Sequence, residues 1–292
     1  MSADRVPSAR SRLALRAEEY IPVKAAMAVR RRLRRSCDVP VKAARIVNDY
    51  VFRLYFPANR MPLHQRFRCA PLILLVEYLV YKVDAVSEGA KRVDLDVVRD
   101  HDEDYLTLHK YKAKFEKILR RMHAYNWSVA HQMERAEEYV RLENKVTSNR
   151  LVAHAEVIRL AELRPSDVRL LHGMTFALRR RPCDEDLLNL LWPVEVLADI
   201  GNDLAHYPDD LANGQFNTYA MFVELYGAGA PERIRAEIAR YEGMFLAELK
   251  KFPRVRQADL KALCARRYRR LTAAIPEPLP QTGYMSVQKE QP

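Results

Sequence analysis

The ten residues Gly201-Asn202-Asp203-Leu204-Ala205-His206-Tyr207-Pro208-Asp209-Asp210 carry the pattern from which the fold is read. Asn202, His206 and Asp210 stand at i, i+4 and i+8, which on a helix is a single face. Oxygen and nitrogen donors stacked along one face can converge on one divalent cation. Asparagine and carboxylate oxygens favour a hard ion such as Mg²⁺, which keeps several waters and is shared with substrate phosphates. The same spacing also describes an ordinary helix end with solvated carboxylates, stopped by Pro208. The rest of the chain has to decide between the two.

Outside this stretch, apolar residues recur at helical spacing through most of the 292 residues, and glycine is scarce at 8. Runs of strict alternation are absent. This predicts an all-α protein with enough chain to bury a sizeable core. Residues 1–13 read as a disordered basic N-terminus, 14–275 as one helical domain, and 276–292 as a flexible tail with Pro276, Pro278, Pro280 and Gly283. Cys37, Cys69, Cys183 and Cys264 lie far apart, which speaks against a zinc site or a disulfide framework and for a reduced, cytoplasmic protein. No membrane span is expected: the longest apolar run, Pro71 to Val83, contains Glu77 and Lys82 and is shorter than the ~20 residues a bilayer requires.

The formal net charge is +11, with arginine runs at 30–35, 179–181 and 266–270. No helix-turn-helix spacing, aromatic RNA-binding motif or zinc finger accompanies them, so no specific nucleic-acid partner is expected. A basic surface also concentrates small polyanionic substrates.

In chain order, helices are expected over Leu15 to Ser36 and Val41 to Tyr55, followed by a turn at Phe56-Pro57-Ala58-Asn59. The stretch from Ala70 to Val83 is apolar on nearly all sides and belongs at the centre of a helical fold. It runs into Asp84-Ala85-Val86-Ser87-Glu88-Gly89, where Asp84 and Glu88 stand at i and i+4. These acids either share a cation or reach solvent at a helix end. Asp100-His101-Asp102-Glu103-Asp104 reads as the acidic first turn of a helix over Tyr105 to Met122. Further helices are expected over 151–163, 187–204, up to Gly227, and from Ala230 to Phe252, with a loop at Arg179 to Asp186 and a bend at Trp192-Pro193.

The order of these pieces resembles the class I terpene synthases of bacteria. Tyr55-Phe56-Pro57 resembles the turn that precedes that family's apolar helix. Asp84-Ala85-Val86-Ser87-Glu88 is similar to its D-D-x-x-D motif with the second acid replaced by alanine, and also to the D-x-x-x-D of squalene and phytoene synthases. Asn202-Asp203-Leu204, with His206 and Asp210, resembles the second metal motif, with histidine in place of a hydroxyl and aspartate in place of glutamate. Glu137-Glu138-Tyr139-Val140-Arg141-Leu142 through Arg150 is similar to the diphosphate-sensing segment, with Lys145 at the sensing position and Asn149 at the helix-breaking glycine. Arg150 is a second candidate for the anion, and Arg267-Tyr268 matches the family's late R-Y pair.

The resemblance implies a single-domain helical bundle around a central apolar cavity. It also implies a prenyl diphosphate substrate and Mg²⁺, three ions with the substrate diphosphate. Asp84, Glu88, Asn202, His206 and Asp210 would hold the metal, and Lys145, Arg267 and Tyr268 would act on the leaving group. Asn149, Arg150, Tyr78, Tyr81 and Trp127 would contact substrate, with Phe52 and Trp192 as further lining. A homodimer is common among similar proteins. A squalene- or phytoene-synthase-like prenyltransferase and a non-catalytic helical protein are the competing expectations.

Overall fold

In the computed structural model, residues 39–93, 112–148, 152–213 and 215–279 are described, with only the backbone given for 82–93 and 147–148. The described residues are helical throughout, with no strand among them. Helix α1 begins as an α-helix over 39–46, widens into a π-helix over Val47–Tyr55 and closes with Phe56–Ala58. There follow α2 (Leu63–Val93), α3 (112–121), α4 (Trp127–Ser148), α5 (His154–Leu163) and α6 (Ser166–Leu178). The chain continues with α7 (Glu185–Asn213), α8 (Thr218–Tyr226), α9 (Ala230–Leu249) and α10 (Arg254–Thr272). The helix foreseen over Leu15 to Ser36 lies outside the described residues, as do Asp100 to Asp104.

Helix α7 is the axis of the fold. From Leu187 to Leu204 almost every residue is buried, and α10, α9 and α8 pack along it. It extends well past the expected end at Leu204, running through both Pro193 and Pro208. A proline inside a helix removes one backbone hydrogen bond. Here the flanking turns are held by tertiary contacts: Leu204 and Tyr207 are buried, and Tyr207 packs edge-on against Tyr219 of α8 at 4.9 Å. Burial of the apolar face outweighs the lost bond.

Gly201 lets α10 come close. A Cβ placed on it would stand 2.5 Å from the Cβ of Leu271 and 3.3 Å from that residue's carbonyl carbon. Asn217 then starts α8 by accepting a hydrogen bond from the Ala220 amide, 3.0 Å. Gly227, with φ +55°, ends it in the left-handed region that suits glycine. Beyond α10 the expected tail begins with an ordered stretch. The Pro276 carbonyl accepts from Tyr219 Oη at 2.5 Å, and the Leu279 amide donates to Tyr207 Oη at 3.2 Å.

Gly201→Ala is expected to destabilise the protein by about 1–3 kcal/mol, because the added methyl meets backbone and Cβ atoms rather than a flexible side-chain end. Urea unfolding of the variant checks this; an unchanged midpoint would show that α7 and α10 separate freely.

Candidate functional site

Polar groups are buried along α7 in two successive layers. In the first, Glu195 is fully buried and accepts from Tyr55 Oη at 2.9 Å and from Arg169 Nη1 at 2.5 Å. The Tyr55 ring stacks on His172 with centroids 4.4 Å apart and planes within 2°. His172 Nε2 lies 2.9 Å from Asn59 Nδ2 and accepts its proton, so Nδ1 carries the ring hydrogen. Burial, aided by the neighbouring Arg169 charge, pushes the His172 pKa down to about 3 and keeps the imidazole neutral. The charges of Arg169 and Glu195 balance in this layer, and the His172 Nδ1–H is buried without an acceptor.

The second layer lies one turn further along α7 and is not balanced in this way. Asp199, half-buried, accepts from Tyr50 Oη at 3.1 Å. The Arg267 guanidinium of α10 covers the Tyr50 ring at 4.0 Å, and its buried Nε–H has no acceptor. Burial raises the Asp199 carboxyl to about 7 against the pull of Arg164 and Arg267, with Asp167 and Asp203 adding to the rise. Asp167, in the first turn of α6, is also held above the ordinary carboxylate range by burial. Glu77 of α2 is fully buried, and neither carboxylate oxygen has a hydrogen-bond partner. Burial first, and then the Asp167 charge, pushes its pKa strongly upward. Carboxyl groups from three helices thus crowd one interior region, beside an arginine with an unmet donor.

Asp203 closes the layer. Arg164 Nη1 donates to both of its oxygens at 2.6 Å, and the Thr218 amide donates to Oδ2 at 2.8 Å. The Asp203 carbonyl accepts from Asn217 Nδ2 at 2.8 Å.

The sequence-predicted site residues fall in several places. Asn202 is exposed, and its carbonyl accepts from His206 Nδ1 at 2.9 Å. Asp210 accepts from Asn217 Nδ2 at 2.9 Å. These three residues stand at i, i+4 and i+8 on one side of α7. Among the described residues, no three His, Cys, Asp or Glu side chains form a group that could hold a metal ion. The side chains of Asp84 and Glu88, and all of Asn149 and Arg150, lie outside the described residues.

Lys145 is exposed and pairs with Glu156 at 2.6 Å, in a surface groove of about 380 Å³ between α4 and α5 that Arg141 and Arg159 also line. Arg267 and Tyr268 diverge: Arg267 turns to Tyr50 and Asp199, whereas Tyr268 is buried beside Glu242 of α9. Tyr78 and Tyr81 are half-buried on α2, and Trp127 is 55 % exposed at the start of α4. Phe52 packs edge-on against Phe56, and Trp192 against Tyr241.

Sequence reasoning missed Tyr50, Glu77, Arg164, Asp167, Asp199 and Asp203. One signal was available: Asp199 and Asp203 stand at i and i+4, the same spacing as Asp84 and Glu88. No family model, curated protein or solved structure matches this chain.

Two outcomes follow from the unbalanced layer. Glu77→Met is expected to raise stability by about 1–3 kcal/mol in urea unfolding, since it replaces a buried, unpartnered carboxyl with an apolar group of similar size. For Asp199, the folded pKa lies above the unfolded value. Its contribution is therefore full below about pH 4 and fades as pH rises through about 7. His172 has the opposite sense, losing stability as pH falls from about 6.5 towards about 3. Urea midpoints between about pH 5 and about pH 8 should fall less with rising pH in Asp199→Asn than in the parent.

Proposed function

We propose that this protein is an enzyme of the class I terpene cyclase kind, which ionises a linear or bicyclic prenyl diphosphate, lets the allyl cation cyclise, and releases pyrophosphate. The observation that carries this reading is Arg267. Its guanidinium is fixed on the Tyr50 ring next to Asp199, and its buried Nε–H lacks an acceptor. A buried donor left unpaired costs free energy, and an anionic oxygen brought by a ligand supplies the missing partner. Arg267 is also one of the residues that the resemblance assigns to the diphosphate.

The resemblance implies Mg²⁺. The resemblance gives it Asn202, His206 and Asp210; Asn202 is exposed, His206 Nδ1 bonds to the Asn202 carbonyl as the second nitrogen of a ligating histidine does, and Asp210 bonds Asn217 through Oδ2. The inward carboxyl of Asp199 fits a hard cation by its chemistry. In this reading Asp199, with Asp84 and Glu88 as the resemblance implies, would hold the ion, which would supply charge neutralisation of the leaving diphosphate.

The remaining work falls to the chain itself. As the C–O bond lengthens, charge accumulates on the leaving diphosphate, and a donor fixed in advance at that position lowers the barrier. Arg267 is such a donor, with the Tyr50 ring beneath it and the Tyr50 hydroxyl anchored on Asp199. Arg164 is committed to Asp203 and keeps α7 in place rather than meeting substrate.

One observation favours the second reading, a squalene- or phytoene-synthase-like prenyltransferase. Besides Glu195, the acids that α7 turns inward are Asp199 and Asp203, a D-x-x-x-D spacing that answers Asp84-x-x-x-Glu88 on α2. The two readings differ in their products: one substrate's carbon count for a cyclase, two for a head-to-head coupling.

The test is incubation of the full chain with geranyl, farnesyl, geranylgeranyl and copalyl diphosphates plus Mg²⁺, following pyrophosphate release and hydrocarbon products. Turnover is expected with at least one substrate, and Arg267→Gln should lower it by about 10²-fold. Absence of pyrophosphate release from all four, with the protein folded, would sink both readings.

A further inference from the structure

One end of the molecule gathers basic side chains from stretches far apart in sequence. Arg179, at the end of α6, donates from Nε to Gln65 in the first turn of α2 at 3.0 Å. The ends of α3 and α6 meet beside it in a concavity of about 410 Å³ lined by Arg120, His123, Tyr125 and Arg180. Arg60 and Arg68 are exposed at the start of α2. None of the acids lies from Asn59 to Val76 or from Val168 to Cys183; Glu116 is taken by Arg120 at 2.7 Å and Asp184 lies 3.9 Å from Arg256, which leaves the exposed Glu185 and Asp186 at the start of α7.

Backbone conformation adds a second observation. Arg60, His123 and Arg180 have φ of 49°, 55° and 53°, and among the described residues they are the non-glycine positions with positive φ. Each closes a helix end: the following amides of Met61, Ala124 and Arg181 return to the carbonyls of Phe56, Leu119 and Phe176. This is the position where glycine is the relaxed choice and an L-residue is strained. All three ends carry a basic side chain instead, and each projects at this end of the molecule.

The same end leaves large apolar side chains in water. On α2, Phe67 is 70 % and Leu63 66 % exposed, and the stripe continues along the helix to Leu74 and Leu75. Exposed Trp127 begins α4, four residues after His123. Apolar side chains beside arginines, with an aromatic residue at the border, fit the boundary between acyl chains and anionic headgroups. A second copy of the chain fits less well, since a two-fold contact would set this arginine-rich rim against itself. No described helix is long and apolar enough to cross a membrane, so the contact is with the surface.

We propose that this end of the molecule is a docking surface for an anionic lipid bilayer. Leu63 and Phe67 enter the acyl boundary, and Arg68, Arg179 and Arg180 meet headgroup phosphates. The inference stands apart from the catalytic reading and shares with it only Trp127, which the resemblance places against substrate.

The test is co-sedimentation of the full chain with vesicles of phosphatidylcholine alone and of phosphatidylcholine with phosphatidylglycerol, at low and high salt. Binding is expected on the anionic vesicles and should weaken with salt. Arg68→Glu and Arg180→Glu should each lower the partition about fivefold. Phe67→Ser should lower it several-fold at either salt, with an unchanged melting curve because the position is exposed. No sedimentation with anionic vesicles would overturn the proposal. Full binding by Phe67→Ser alongside loss in the arginine variants would also overturn it, pointing to a soluble polyanion. A concentration-dependent dimer that Phe67→Ser abolishes, without vesicle binding, would assign the face to self-association instead.

Discussion

Arg164 stands at the junction between α5 and α6, and its guanidinium reaches across to both oxygens of Asp203 on α7. The same carboxylate accepts the first amide of α8, and its backbone carbonyl is held by the Asn217 side chain. One aspartate therefore fixes the turn between α5 and α6, the depth of α7 and the start of α8. Breaking such a buried pair on one side costs about 3–5 kcal/mol, because the remaining charge is left without compensation. The pair also fixes the helices that carry two of the unbalanced acids, Asp199 and Asp167. Asp199 is one turn from Asp203 on the same helix, and Asp167 is three residues from Arg164.

The helices were legible because their signals are local. Apolar periodicity and Gly227 lie where the structure uses them, and the loop expected over Arg179 to Asp186 ends two residues early, at the start of α7. The course of α7 past Leu204 was not legible: Pro208 predicts a stop, and only packing of Tyr207 against Tyr219 explains its absence. The site was harder still. Asn202 and Asp203 are adjacent, and choosing which one faces inward requires knowing where α10 lies. Gly201 decides that, by letting Leu271 approach one side of the helix. Arg267 could be singled out in advance, but its separation from Tyr268 could not, since neighbours on a helix point about 100° apart and find different partners.

The distribution of charge is as informative as its total. The chain carries +11 overall, yet the groups without a partner in the interior of α2 are carboxyl oxygens, while the arginines gather at an exposed end. Such a division does not maximise stability. Burying acids raises their proton affinity, and placing arginine or histidine at left-handed helix ends costs what glycine would not.

Helix α1 has one more consequence. Its hydroxyls at Tyr50 and Tyr55 are five residues apart, yet they bond to Asp199 and Glu195, which are four apart on a helix running the opposite way. On an ordinary α-helix residues five apart point about 140° from each other, and the two rings could not serve one neighbour. The wide turns over Val47–Tyr55 bring them to 6.1 Å, on one side. The two helices mesh like gears of unequal tooth count, five against four. An extra residue that would elsewhere be a register error is here the ratio that keeps the Glu195 layer and the Asp199 layer in step.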